Sequence, residues 1–155
     1  MIQEKKLLVS AIKNGTVIDH VACGQAFTII RLLNLLQHKK IVTVGLNLPS
    51  KSMGCKDLIK VEGIELTPNE ANRVAIFSPE SSVNIIRNYN VIKKFFVTIP
   101  EKISRLIVCP NPKCITNHDR MESLFLVRKE GKEIKLHCYY CEKTFSNNEI
   151  NQYGI

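Results

Sequence analysis

Cys109-Pro110-Asn111-Pro112-Lys113-Cys114 and Cys138-Tyr139-Tyr140-Cys141 place four thiols in two close pairs, all in the last third of a 155-residue chain. Two thiolate pairs on tight turns can converge on one tetrahedral Zn²⁺, and four thiolates leave no open position for water or substrate. The spacing therefore predicts one structural zinc ion per chain, held by Cys109, Cys114, Cys138 and Cys141. Competing readings are weaker. Two disulfides require an oxidising compartment, yet Met1-Ile2-Gln3-Glu4-Lys5-Lys6 lacks the apolar core of a secretory signal. A redox Cys-x-x-Cys accompanies a βαβ pattern, whereas Cys141 is followed by Glu142-Lys143-Thr144-Phe145 on a turn. His118 or His137 could replace a thiolate, but both lie outside the paired turns. Cys23 and Cys55, far apart in the chain, read as unpaired reduced thiols.

Working outward, the length suits a domain of about 100 residues followed by a metal-dependent module of about 50. We place the division at residues 1–98 and 99–155, because Ile99-Pro100-Glu101-Lys102 precedes all four paired cysteines. A module that small buries too little apolar surface to fold alone, so the metal supplies much of its stability. No apolar run approaches the length of a bilayer span, and a cytoplasmic protein is expected. The net charge of +8 is unevenly placed. Residues 1–99 carry 13 Lys and Arg against 7 Asp and Glu, while residues 100–155 carry 9 against 7. An anionic ligand, such as a phosphate, is thus expected on the N-terminal domain. Surface lysines that merely aid solubility account for the excess equally well.

The pattern of elements in the N-terminal part is βαββαβ. Residues 17–22 read as a strand after the Asn14-Gly15 turn, and residues 24–37 as a helix apolar over more than one face. Such a helix is buried on two sides, the second supplied by a partner subunit or by a thick core. Strands are predicted at residues 40–48 and 56–63, joined by a loop at 49–54. Thr67-Pro68-Asn69-Glu70 is a capping box with proline at the first helical position, opening a helix to about Phe77. Two more strands, 82–86 and 91–97, flank a turn near Asn88-Tyr89-Asn90. The expected fold is α+β, a ferredoxin-like antiparallel sheet with both helices on one face. A small antiparallel-β zinc domain follows, with strands at 103–108, 124–128 and 134–138.

No catalytic constellation accompanies this fold. The chain has no Gly-x-Gly-x-x-Gly, no phosphate loop, and no His-x-Glu with a downstream Pro-Cys-x-x-Cys. With a closed metal site and no activated nucleophile, a non-enzyme is expected. What remains is a scattered polar set: Asp19 and His20 on the first strand, Lys60 on the third, and Asn84, Tyr89 and Lys94 around the last two. A strand lysine either reaches solvent or meets an anion. A nearby aspartate can accept hydrogen bonds from a ribose.

Ala11-Ile12-Lys13-Asn14-Gly15-Thr16-Val17-Ile18-Asp19-His20 resembles the N-terminal signature of aspartate carbamoyltransferase regulatory chains. The resemblance continues through residues 44–50, Met53-Gly54, Lys56-Asp57-Leu58-Ile59-Lys60, Val83-Asn84, Val108-Cys109-Pro110-Asn111, Cys114-Ile115 and Cys138-x-Tyr140-Cys141-Glu142-Lys143. It implies a non-catalytic subunit of pyrimidine biosynthesis that binds the nucleotide effectors CTP and ATP, and possibly UTP. It also implies pairing of two N-terminal domains and docking of the zinc domain on a catalytic chain, so that catalytic trimers are linked. By position, Ala11, Ile12 and Val17 would meet the base, Asp19 and Lys60 the ribose, and His20 and Lys94 the phosphates. Asn84, Ile86, Tyr89 and Val91 would complete the pocket. Ser10 and Lys93-Lys94-Phe95-Phe96 depart from the familiar pattern, and the added lysine is expected beside the phosphates. A zinc-ribbon nucleic-acid-binding factor is the rival, drawing on Tyr139, Tyr140 and Phe145 as stacking groups. It is disfavoured by the near-neutral zinc module.

Overall fold

A computed structural model describes residues 11–119 and 121–153. Ser10 lies outside them. The N-terminal sheet has five antiparallel strands in the order β2-β3-β1-β4-β5. They are β1 (Gly15–Val21), β2 (Val42–Ser50), β3 (Gly54–Glu62), β4 (Ser82–Arg87) and β5 (Asn90–Phe96). Their first four members carry the ferredoxin-like connection, and β5 is added at the edge by a hairpin. Asn88 and Tyr89, at φ 49° and 67°, make its two-residue turn. The turn is tied back where the Tyr89 N–H donates to the Lys13 carbonyl at 2.9 Å.

One face of this sheet is covered by helices. Ile18, Ile59, Val61, Val83 and Ile85 point from the strands into a core with Ala26, Ile29 and Ile30 of α1 (Ala26–Leu32) and Ala71 of α2 (Pro68–Asn72). Gly15 lets β1 enter the sheet: at φ 144°, a Cβ there would stand 2.0 Å from the Val61 carbonyl oxygen. The expected capping box opens α2, with Thr67 Oγ1 accepting from the Glu70 N–H at 3.3 Å.

Both helices are shorter than the apolar pattern implies. α1 ends where Asn34 turns left-handed at φ 50°, and residues 35–38 continue as a 3₁₀ turn. Leu35 is buried by that break, while Leu36 is left 66% exposed. α2 likewise passes into a 3₁₀ turn over Arg73–Ile76. Of the expected loop at 49–54, residues 51–53 form the turn, and β2 and β3 pair as far as Ser50 and Gly54 on either side of it.

The C-terminal sheet runs β6-β7-β8-β9, with β6 (Lys102–Ser104), β7 (Leu124–Glu130), β8 (Glu133–Cys138) and β9 (Thr144–Ser146). The strand expected over 103–108 stops at Ser104, and Arg105 adopts φ 67°. β9 was not evident in the sequence. Phe125, Ile134 and Leu136 form the centre of this second core, which also takes in Leu32, Ile76 and Phe77 from the N-terminal part. The second buried side of α1 is thus provided in part by the C-terminal sheet. Asn147 Nδ2 donates to the Ile76 carbonyl at 2.8 Å across the same seam.

Candidate functional site

The face of the N-terminal sheet turned away from the helices gathers the polar set. Because strand side chains alternate, residues next to the buried Ile18, Ile59 and Val83 point away from the helices. The register aligns Thr43, Lys60, Val17, Asn84 and Lys94 in one row across all five strands. A second row sets Asp19 beside Ser82 and Phe96. At the opposite end, Gly15 is aligned with Ile86, and Ile86 with Val91, next to the turn that bears Tyr89. Ile12 is buried and Ala11 exposed just before β1. Four residues of strand separate Ile86 from Ser82, about 13 Å. The face is therefore apolar at one end and charged at the other.

At the charged end Asp19 is the hub. Its Oδ1 lies 2.9 Å from Lys56 Nζ and accepts the His20 N–H at 2.7 Å. His20 Nδ1 stands 3.8 Å from Asp19 Oδ2 and 3.5 Å from Ser82 Oγ. Burial pushes the Asp19 carboxyl upward, but the hydrogen bonds from Lys56 and the His20 backbone prevail and hold it below its ordinary value. His20 itself has φ 55°, within the irregularity that separates the Ile18 and Val21 pairings of β1 with β3. Lys60 is 9% exposed, so of the two fates of a strand lysine it does not take the solvated one. Burial lowers its pKa and the Asp19 charge partly restores it. Lys94, at the edge, is exposed.

Two features differ from expectation. Lys93 stands on the other face of β5 from Lys94: its Nζ is 5.6 Å from the Phe95 ring centre, while Lys94 Nζ is 5.8 Å from that of Phe96. The added lysine therefore does not join the charged end. Cys23 and Cys55 are not unpaired thiols; they are joined as a disulfide, with Cα atoms 6.1 Å apart. Antiparallel pairing of β1 with β3 brings the chain after β1 over the start of β3, which their separation of 32 residues conceals.

Asp57, which sequence reasoning missed, is fully buried. Its Oδ2 accepts the N–H groups of Gly24 (3.0 Å) and Ala26 (3.3 Å), and its Oδ1 that of Asn47 (3.0 Å). It seats the start of α1 on the sheet from 31 residues away. A carboxylate on the same strand face as Cys55 and Ile59 was the available signal.

In the C-terminal sheet the four cysteines converge. Their sulfurs all lie within 4.8 Å of one another, with Cys109–Cys141 at 3.8 Å and Cys114–Cys138 at 3.7 Å. Each pair sits on a hydrogen-bonded knuckle. Cys114 N–H donates to the Asn111 carbonyl at 3.0 Å, and Asn117 Nδ2 ties the Cys109 and Asn111 carbonyls at 3.0 and 2.7 Å. In the other knuckle Cys138 N–H donates to the Lys143 carbonyl at 2.9 Å, and Glu142 N–H to the Cys138 carbonyl at 3.0 Å. Burial pushes the Cys109 and Cys138 thiols upward. Cys141, the least enclosed, is held at about 7: burial raises it, but hydrogen bonds, first from the Asn111 side chain, outweigh that. His137 is engaged elsewhere, with Nδ1 at 2.9 Å from Thr144 Oγ1, and neither it nor His118 belongs to the cluster.

Comparison with known proteins matches the two parts of the chain to two domains of one family. The family model described as the aspartate carbamoyltransferase regulatory chain, allosteric domain, matches residues 7–98. That of the same chain's metal binding domain matches residues 101–151. The aspartate carbamoyltransferase regulatory chain of Tolumonas auensis is 43% identical over 152 residues, spanning 98% of this chain and 99% of that one. The same-named chain of Neisseria gonorrhoeae is 43% identical over 149 residues, 96% of this chain and 98% of its own length. That of Salmonella arizonae is 44% identical over 150 residues, 97% and 98% respectively. Among the described residues no helix is long and apolar enough to cross a membrane.

Proposed function

Since this chain belongs to the aspartate carbamoyltransferase regulatory chains, a family of non-catalytic subunits, we propose that it binds nucleotide effectors on the face of its N-terminal sheet turned away from the helices and carries a structural zinc ion in its C-terminal sheet. The observation that carries the nucleotide reading is the row Lys60–Val17–Asn84–Lys94, flanked by Asp19 and His20. A ligand that fits must be flat and apolar at one end and polyanionic at the other. In CTP or ATP, the base would lie toward Ala11, Ile12, Ile86, Tyr89 and Val91, and the phosphates toward His20 and Lys94. Asp19 and Lys60 between them suit the ribose. UTP has the same division and is a further candidate.

Zinc is supported by sulfur spacing. A Zn–S distance of about 2.3 Å requires tetrahedral edges of about 3.8 Å, close to the Cys109–Cys141 and Cys114–Cys138 separations of 3.8 and 3.7 Å. Zinc would hold together the knuckles that dock on the catalytic chain, so residues 99–155 serve as the docking domain and residues 1–98 as the effector domain. Phe27, Leu36, Ile41 and Leu46 leave apolar surface exposed on the N-terminal part, which suits a homodimer that links two catalytic trimers in the cytoplasm.

A nucleotide shifts such an assembly only by binding one of its states better, and the coupling is reciprocal. The decisive test is carbamoyl transfer to aspartate by the matching catalytic trimer, with CTP titrated in the presence and absence of the zinc-loaded chain. CTP should change the rate only when the chain is present. In calorimetry, CTP affinity should differ with and without a bisubstrate analogue; identical affinities would refute the allosteric reading.

A further inference from the structure

We propose that Cys23 and Cys55 form a thiol–disulfide couple that sets the nucleotide affinity of the N-terminal sheet. The inference rests on the nucleotide reading above and adds to it a site of oxidative modification. Three observations carry it.

The first is placement. The Cα separation of 6.1 Å lies in the range a disulfide bridges without moving the backbone. Both residues are half-buried, and Gly24 beside them is exposed, so a small thiol can reach the bond.

The second is that hydrogen bonds not involving the sulfurs flank Cys23. Asp57 accepts the Gly24 and Ala26 N–H groups, and Ser78 Oγ accepts the Ala22 N–H at 2.9 Å. Hydrogen bonds on both sides of Cys23 hold it opposite Cys55 whether or not the sulfurs are joined. Reduction therefore loosens the segment without dispersing the pair.

The third is adjacency to the charged end. Cys55 and Asp57 turn to one side of β3, while Lys56 between them turns to the other and pairs with Asp19. Asp19 in turn receives the His20 N–H. The disulfide thus fixes the backbone that carries Lys56 on one strand and the chain leaving β1 just after His20 on the other. A braced charged end loses less freedom when a polyanion binds, so the disulfide form should bind nucleotide more tightly.

The chemistry balances with a low-molecular-weight disulfide as oxidant. One protein thiolate attacks a sulfur of oxidised glutathione, forming a mixed disulfide and releasing one glutathione thiolate. The second protein thiolate then attacks the protein-bound sulfur, forming the Cys23–Cys55 bond and releasing the second. Two electrons pass to glutathione, and the two protons lost by the protein thiols end on the two released glutathiones. In reducing compartments such bonds are characteristically transient and regulatory.

The test uses the holoenzyme equilibrated in glutathione buffers of graded ratio, with zinc content measured on every sample. Alkylation and peptide mass spectrometry report the fraction of Cys23 joined to Cys55, and calorimetry reports CTP affinity. We expect the pair to titrate between the two forms, and CTP to bind the disulfide form about fivefold or more tightly. The Cys23→Ser/Cys55→Ser variant should bind like the reduced protein at every ratio. Equal or weaker binding by the disulfide form would overturn the coupling, as would a pair that stays reduced in excess oxidised glutathione. If neither form nor the variant bound CTP, the nucleotide reading itself would fall and the coupling with it.

Discussion

The two sheets of this molecule are stabilised in opposite ways. In the N-terminal sheet, apolar side chains alternate inward to meet two helices in an aliphatic core. In the C-terminal sheet, Phe125, Ile134 and Leu136 share their core with four cysteines whose sulfurs face one another. The difference determines where function can reside. A sheet with a sufficient core is free to place Lys60, Asn84 and Lys94 on its other face, where the proposed nucleotide would come and go. A sheet that needs its metal to fold cannot release it without losing shape. We therefore assign the exchangeable ligand to the first and the permanent one to the second.

The strongest way to break this contrast is Cys138→Ala. Structural zinc sites contribute on the order of 10–16 kcal/mol of apparent binding free energy, so loss of one ligand should unfold the C-terminal sheet outright. Zinc content should fall and docking on the catalytic chain should disappear in gel filtration, while CTP binding persists. Leu32, Ile76 and Phe77 sit in the shared core, so the N-terminal sheet should lose amide-exchange protection along that seam alone. Normal zinc content and assembly in the variant would refute the structural assignment.

A smaller effect is expected within the N-terminal face, where burial separates two lysines of like charge. Lys60 is enclosed and Lys94 is exposed. Lys60→Met should weaken CTP about tenfold to a hundredfold, the range of a charged hydrogen bond worth about 1.5–3 kcal/mol. Lys94→Ala should cost about fivefold or less, because a solvated charge contributes under about 1 kcal/mol. Calorimetry with circular dichroism as the folding control decides it; equal losses would show that burial does not grade the two. Because burial depresses the Lys60 pKa and a polyanion favours its charged form, CTP affinity should also decline as pH rises through that lowered value.

These two regions also differed in how far the sequence disclosed them. Each half of this metal ligand set is local, because two cysteines on one knuckle are fixed by a few residues of turn. Cys109 to Cys114 and Cys138 to Cys141 were therefore readable at once, as was the Thr67–Glu70 capping box. The face proposed to take nucleotide is assembled from side chains between Ala11 and Lys94 by strand register, and no short motif encodes register. Family resemblance, rather than periodicity, drew those residues together. The same physics concealed the Cys23–Cys55 pairing and the role of Asp57, both of which depend on which strand lies beside which. Helix length failed for another reason: the left-handed turn at Asn34 interrupts an apolar run that continues through Leu35 and Leu36.

The smallest effect expected is in acid, and it tests whether the charged end contributes to the fold as well as to binding. Asp19 is held below its ordinary carboxylate value in the folded chain, chiefly by Lys56 and the His20 N–H acting against burial. A carboxyl with a depressed folded pKa stabilises the fold above its unfolded value near 3.8. That contribution is lost as pH falls through the lower folded value. Denaturant midpoints should therefore drop as the pH is taken from 5 downward, and Asp19→Asn should remove part of that slope while leaving the zinc content unchanged. The slope ought to be seen in the N-terminal transition, because the Lys56–Asp19 pair spans β1 and β3. An unchanged slope in the variant would mean that Lys56 and His20 position Asp19 for a ligand without stabilising the sheet that carries them.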